Sequence, residues 1–173
     1  MEFNFLFIIL AALIPTVIGF IYYSPVLVGK AWMKASGMTE EKMKEGNMLI
    51  IFGSSILLSF LISLAMAFWS THQTDLFSLF ADSDILKDGA SEEAITVNHL
   101  IELAGDRFLN FKHGAFHGIV ITLMLVFPIM ATNNFYERKP FKLTIINSIY
   151  WMITLALMAG VLNQWGFQPF VAG

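Results

Sequence analysis

FNFLFIILAALIPTVIGFIYYSPVLVG, residues 3–29, runs for 27 positions without a Lys, Arg, Asp or Glu. A helix needs about 20 mostly apolar residues to cross the hydrocarbon layer of a bilayer, and Asn4 to Tyr23 supply them. Barrel strands would alternate apolar and polar residues, whereas this run is apolar on every face. It reads as a spanning helix. A cleaved signal peptide fits less well, because Glu2 is the only charge before Lys30. Tyr22-Tyr23-Ser24-Pro25 also stands where a small-x-small cleavage site would be. Aromatics beside a proline stop mark the interfacial end of a retained span.

Three further runs of this kind follow: Asn47 to Thr71, Ala115 to about Phe135, and Leu143 to about Trp165. The expected fold is therefore an all-α, integral membrane four-helix bundle in one domain, residues 1–173, with spans at about 4–23, 47–70, 115–135 and 143–165. Bulk composition agrees. Hydrophobic residues make up 57% of the chain and charged residues 13%, against about 25% charged in a soluble domain. Mean hydropathy is +0.69. A chain this short cannot bury so much apolar surface in a soluble core. The absence of cysteine excludes zinc ribbons, thiol redox chemistry and cysteine nucleophiles, and a net charge of −3 argues against a nucleic-acid partner.

The charges are segregated as well as scarce. The 1–2 connection carries Lys30, Lys34, Lys42 and Lys44, and the 3–4 connection carries Arg138, Lys139 and Lys142, seven in all. The other side has three: Lys87, Arg107 and Lys112. Seven against three puts the two short connections in the cytoplasm, with both termini and the 71–112 segment outside. Lys30, Lys34, Arg138, Lys139 and Lys142 are then expected to meet anionic headgroups. Tyr22, Tyr23, Trp32, Tyr136, Trp151 and Trp165 read as an aromatic belt. Gly37 reads as a helix stop, Thr39 as the cap of a short turn and Pro140 as the opening of span 4.

Eight of the thirteen acidic residues fall in the 71–112 segment. Leu76-Phe77 with Leu79-Phe80 suggests an amphipathic turn, Asp82 to Gly89 a loop, and Ser91 a helix start. From there Val97, Ile101, Ala104, Phe108 and Phe111 step by four, three, four and three, one apolar face of a helix expected to run into span 3 with at most a bend near Gly105. Opposite lies a polar stripe: His99, Glu102, Asp106, Asn110, His113 and His117. Imidazole and carboxylate at that spacing suit metal binding or proton relay. The competing reading is a solvated acidic stripe or a subunit contact. His113 and His117 are the metal candidates, but two ligands fall short of the three or four a zinc site needs, so no cofactor is expected. His117 lies inside the apolar run, where it faces protein rather than lipid.

Several blocks resemble a bacterial membrane family catalogued as domain of unknown function 1761. They are Tyr22 through Met33 (Tyr-Tyr-Ser-Pro-Val-Leu-Val-Gly-Lys-Ala-Trp-Met), His113-Gly114-Ala115-Phe116-His117-Gly118, Asn134 through Leu143, and Asn147, Tyr150-Trp151 and Met158-Ala159-Gly160 in the last helix. The blocks occur in the right order along nearly the whole chain, the acidic segment excepted. The resemblance implies a four-helix bacterial membrane protein and brings no activity with it.

Ser55, Ser59 and Ser63 in span 2 and Ala156 and Gly160 in span 4 recur at four-residue steps, as in helix packing or oligomerisation. Walker A, Gly-x-Ser-x-Gly, His-Glu-x-x-His and Gly-x-Gly-x-x-Gly are all absent. The expectation is therefore a multi-pass protein of the bacterial inner membrane, with the lipid bilayer as solvent. It would act without enzymatic chemistry, as a homo-oligomer or as an accessory subunit of a membrane-protein partner. The alternative is a small ion, proton or metal transporter or channel using the His/Asp stripe.

Overall fold

The computed structural model describes residues 2–80 and 91–168. The expected loop from Asp82 to Gly89, with Asp84, Lys87 and Asp88, lies outside the described residues, as do the side chains of Leu76, Phe77, Phe80 and Ile101. Four helices are long and apolar enough to cross a membrane: α1 (Phe5–Tyr22), α4 (Met48–Trp69), α7 (Phe111–Tyr136) and α8 (Phe141–Trp165). Among the described residues four shorter ones connect them: α2 (Gly29–Ser36), α3 (Glu40–Lys44), α5 (His72–Phe80) and α6 (Glu92–Ala104). A two-residue antiparallel pairing, Glu2 with Gln168 and Phe3 with Phe167, ties the two ends of the bundle's chain together.

Helix α8 is the axis of the bundle and contacts α1, α2, α4 and α7. The core gathers Ile8 and Ala11 from α1, Met66 and Ala67 from α4, and Leu155, Met158, Ala159 and Leu162 from α8. Association between helices in lipid depends on close packing, since the surrounding tails are as apolar as the side chains. Here the closest approach is between α7 and α8. A Cβ on Gly114 would run into the carbonyl of Ala159, and one on Gly118 into the carbonyl of Leu155. Gly160 faces the Phe111 ring, and Ala156 sits against Gly118. The serine ridge divides: Ser63 is buried and donates to the Ile8 carbonyl at 2.8 Å, and Ser59 is buried. Ser55 is exposed and donates to Ile51 of its own helix.

The start of α4 stands apart. Every residue from Asn47 to Leu58 is exposed, and a groove of about 730 Å³ opens between α1, α4 and α8, lined by Thr16, Phe20, Phe52, Ser55, Ser59 and Trp151 among others. At the same end Tyr22 donates to the Ile146 carbonyl (3.0 Å) and Tyr23 to Asn147 Oδ1 (2.9 Å). These two tyrosines and Trp32 pack half-buried on α8 instead of forming a lipid belt, whereas Tyr136 and Trp165 are exposed. A Cβ on Gly29 would strike the carbonyls of Tyr23 and Ser24, so the Tyr-Tyr-Ser-Pro turn requires glycine there.

The expected caps are present at Gly37 (φ 72°), Thr39 and Ser91. Arg138 (φ 55°) closes the hairpin between α7 and α8, with Lys139 N–H reaching the Asn134 carbonyl, a left-handed helix end. One expectation fails. Helix α6 stops at Ala104 and does not continue into α7. Gly105 (φ 47°) and Phe108 (φ 65°) both turn left-handed, and Asn110 restarts the helix by accepting from the His113 N–H. A glycine stop and an asparagine cap outweigh an apolar period that happens to stay in phase across them. Ala94 and Val97 are buried while Phe108 is exposed, so the apolar residues form no single face. The polar stripe is broken in the same place.

Candidate metal centre

The end where α4 stops and α7 starts carries the chemistry. Ser70 folds both its N–H and its hydroxyl back onto the Met66 carbonyl, the chain reverses, and His72 is the first residue of α5. Across from it, Asn110 caps α7 and presents His113 and His117 on successive turns. His113 Nε2 lies 3.0 Å from His72 Nε2 and 3.0 Å from His117 Nε2. One ligand atom from each ring falls within a 4.8 Å cluster.

A ring nitrogen has one in-plane direction, used either by a proton or by a lone pair. His113 Nε2 can therefore engage only one of its two neighbours in line. Three converging Nε2 atoms are an arrangement that could hold a metal ion. Tetrahedral zinc with Zn–N bonds of about 2.05 Å separates its nitrogens by about 3.3 Å, close to the spacing seen. All-imidazole sets suit zinc, copper, iron and nickel, while no soft sulfur donor belongs to this cluster.

The frame beneath the cluster is polar and, at Asn163 and Gln73, buried. Asn163 on α8 is 2% exposed. Its Nδ2 donates to the Ser70 carbonyl and its Oδ1 accepts from the Asn110 N–H. One side chain thus ties the backbone two residues before His72 to that three residues before His113. Gln164 Oε1 accepts from Phe111 N–H at 3.0 Å, satisfying a second orphan donor of the helix start. Gln73 Nε2 donates to the carbonyls of Gly105 and Arg107, holding α5 to the turn before α7. From that turn the Phe108 ring stacks on His113 (centroids 4.7 Å, 29°) and meets His72 edge-on. A non-glycine residue at φ 65° is costly and persists where its surroundings demand it.

Local sequence explains the aim of the two α7 rings. In His113-Gly114-x-x-His117-Gly118 each glycine follows a histidine, so it lies about 100° further round the helix. The glycines seat α7 on α8, which turns the histidines toward α5.

Of the sequence-derived stripe, His113 and His117 come together. His99 and Glu102 are exposed on α6, Asp106 is exposed in the turn, and Asn110 is a cap. Lys30, Lys34, Arg138, Lys139 and Lys142 are exposed at the opposite end. His72 escapes a reading by periodicity, because 41 positions separate it from His113. The one available signal is topological: the 2–3 connection leaves and returns at the same face, so its two ends are neighbours.

The family model described as "Protein of unknown function (DUF1761)" matches residues 6–163. The chain belongs to this family. The DUF1761 match runs through the acidic segment, for which the sequence blocks showed no counterpart, and takes in all three histidines and Asn163. No curated protein and no solved structure matches the chain.

Proposed function

We propose that this multi-pass membrane protein binds a divalent first-row transition metal through His72, His113 and His117. The observation that carries the reading is the convergence of three Nε2 atoms with two 3.0 Å separations. The expectation of no cofactor rested on two histidines; a third supplies the minimum for a catalytic-type zinc site. Elemental analysis of chain purified without a polyhistidine tag tests it: about one metal per wild-type chain is expected and none in His113→Ala. A wild-type protein that binds no zinc, copper, nickel or iron on titration ends the reading.

The seven-to-three charge count supports an orientation with the triad outside, in the cytoplasmic membrane of a bacterium. The exposed first half of α4 supports an oligomer or a membrane-protein partner covering it. A strictly monomeric detergent complex with no copurifying partner excludes that part. An ion or proton path is the second reading, and the buried, unpartnered hydroxyls of Ser148 and Thr154 in α8 favour it. Unchanged metal and proton flux in proteoliposomes carrying His113→Ala with His117→Ala removes it.

A further inference from the structure

We infer that the metal centre is open and activates water against the carbonyl esters of lipids lying beside it; this rests on the metal reading above. Among the described residues the cluster offers three ligand side chains and no fourth. Structural zinc sites close with four protein ligands, whereas three leave a position for water. His72 is exposed, so the cluster can be reached from outside the bundle. The depth fits a particular substrate class. His72 stands three residues beyond the last residue of α4, and His113 and His117 lie in the first two turns of α7. That is the boundary between apolar span and headgroup layer, where the acyl ester linkages of glycerolipids sit. Phe108 and Phe116 are exposed and lie against His113 and His117, giving an amphiphile apolar contact beside the polar centre.

The reaction needs only water and the metal. A cation held by the three imidazoles would acidify a water beside it, and the carboxylate of Asp75, one turn along α5 from His72, would take the proton. The resulting hydroxide would add to the ester carbonyl. The tetrahedral adduct then breaks its C–O bond to the alcohol, and the departing alkoxide takes the proton from Asp75. The products are one fatty acid and one alcohol, with no oxidant or reductant required.

Fatty-acid release from phosphatidylcholine vesicles containing the zinc-loaded full chain tests this. Release is expected with wild type, falling to background after chelation or with His113→Ala. With Asp75→Asn it is expected to fall about 100-fold with zinc content unchanged. A wild-type chain that holds zinc yet releases no more fatty acid than the chelated protein overturns the inference and leaves the metal reading standing. A chain that holds no zinc overturns both. Equal release from Asp75→Asn overturns the assignment of the proton acceptor.

Discussion

The two ends of the bundle are tied in different ways. At the histidine end, α4, α5, α7 and α8 are joined by side-chain amides, buried at Asn163 and Gln73 and exposed at Gln164: Asn163 to Ser70 and Asn110, Gln164 to Phe111, Gln73 to the Gly105–Arg107 turn. At the tyrosine end, Tyr22 and Tyr23 lash the end of α1 to α8, and the start of α4 is left exposed beside an apolar groove. Buried polar groups are costly unless paired, so a membrane bundle concentrates them where geometry must be held. The comparison marks the histidine end as the part built to tolerance.

The largest effect that would break this contrast is loss of a ligand. His72→Ala is expected to lower zinc affinity by at least as much as losing a supporting residue costs, roughly 10–100-fold, measured by competition with a chromophoric chelator. Equal affinity would mean that His72 is a bystander. Next, Gly118→Leu should separate α7 from α8, because its side chain meets the Leu155 backbone. Overpacking of this kind costs about 1–3 kcal/mol, seen as a lower thermal midpoint in detergent, and it should weaken metal binding as well. Asn163→Leu is of similar shape but leaves the buried Ser70 carbonyl without its partner, about 1–3 kcal/mol, and the Asn110 N–H with the Phe108 carbonyl alone; its metal affinity should fall while α-helical content holds. The smallest effect is at the far end, where Tyr23→Phe removes one hydrogen bond worth about 1 kcal/mol and should leave metal binding untouched. Were Tyr23→Phe and Asn163→Leu to weaken zinc equally, the two ends would not be distinct.

The spans were legible because lipid imposes a simple demand: about 20 residues without charge. Caps at Gly37, Thr39 and Ser91 were legible because each is a local bargain between one side chain and the adjacent backbone. Half of the candidate site was readable as the i, i+4 pair His113 and His117. The other half was not, since His72 reaches them only through the packing of α4 and α7. Gly114 and Gly118 carry the same four-residue spacing as the serines of α4. The supposed continuity of α6 into α7 failed through arithmetic. Steps of three and four cross a six-residue turn without losing phase, and only Gly105 and Asn110 betray the break.

Asn163 has a consequence for whatever occupies the triad. Its two hydrogen bonds make the arrangement of His72 and His113 inseparable from the seating of α8 between α4 and α7. Coupling of this kind is reciprocal: the free energy by which a seated α8 favours the metal is the free energy by which the metal favours a seated α8. An ion bound there would fasten three spans at once. Detergents harsh enough to loosen those spans should strip it, and lipids that compress the bundle should tighten its grip.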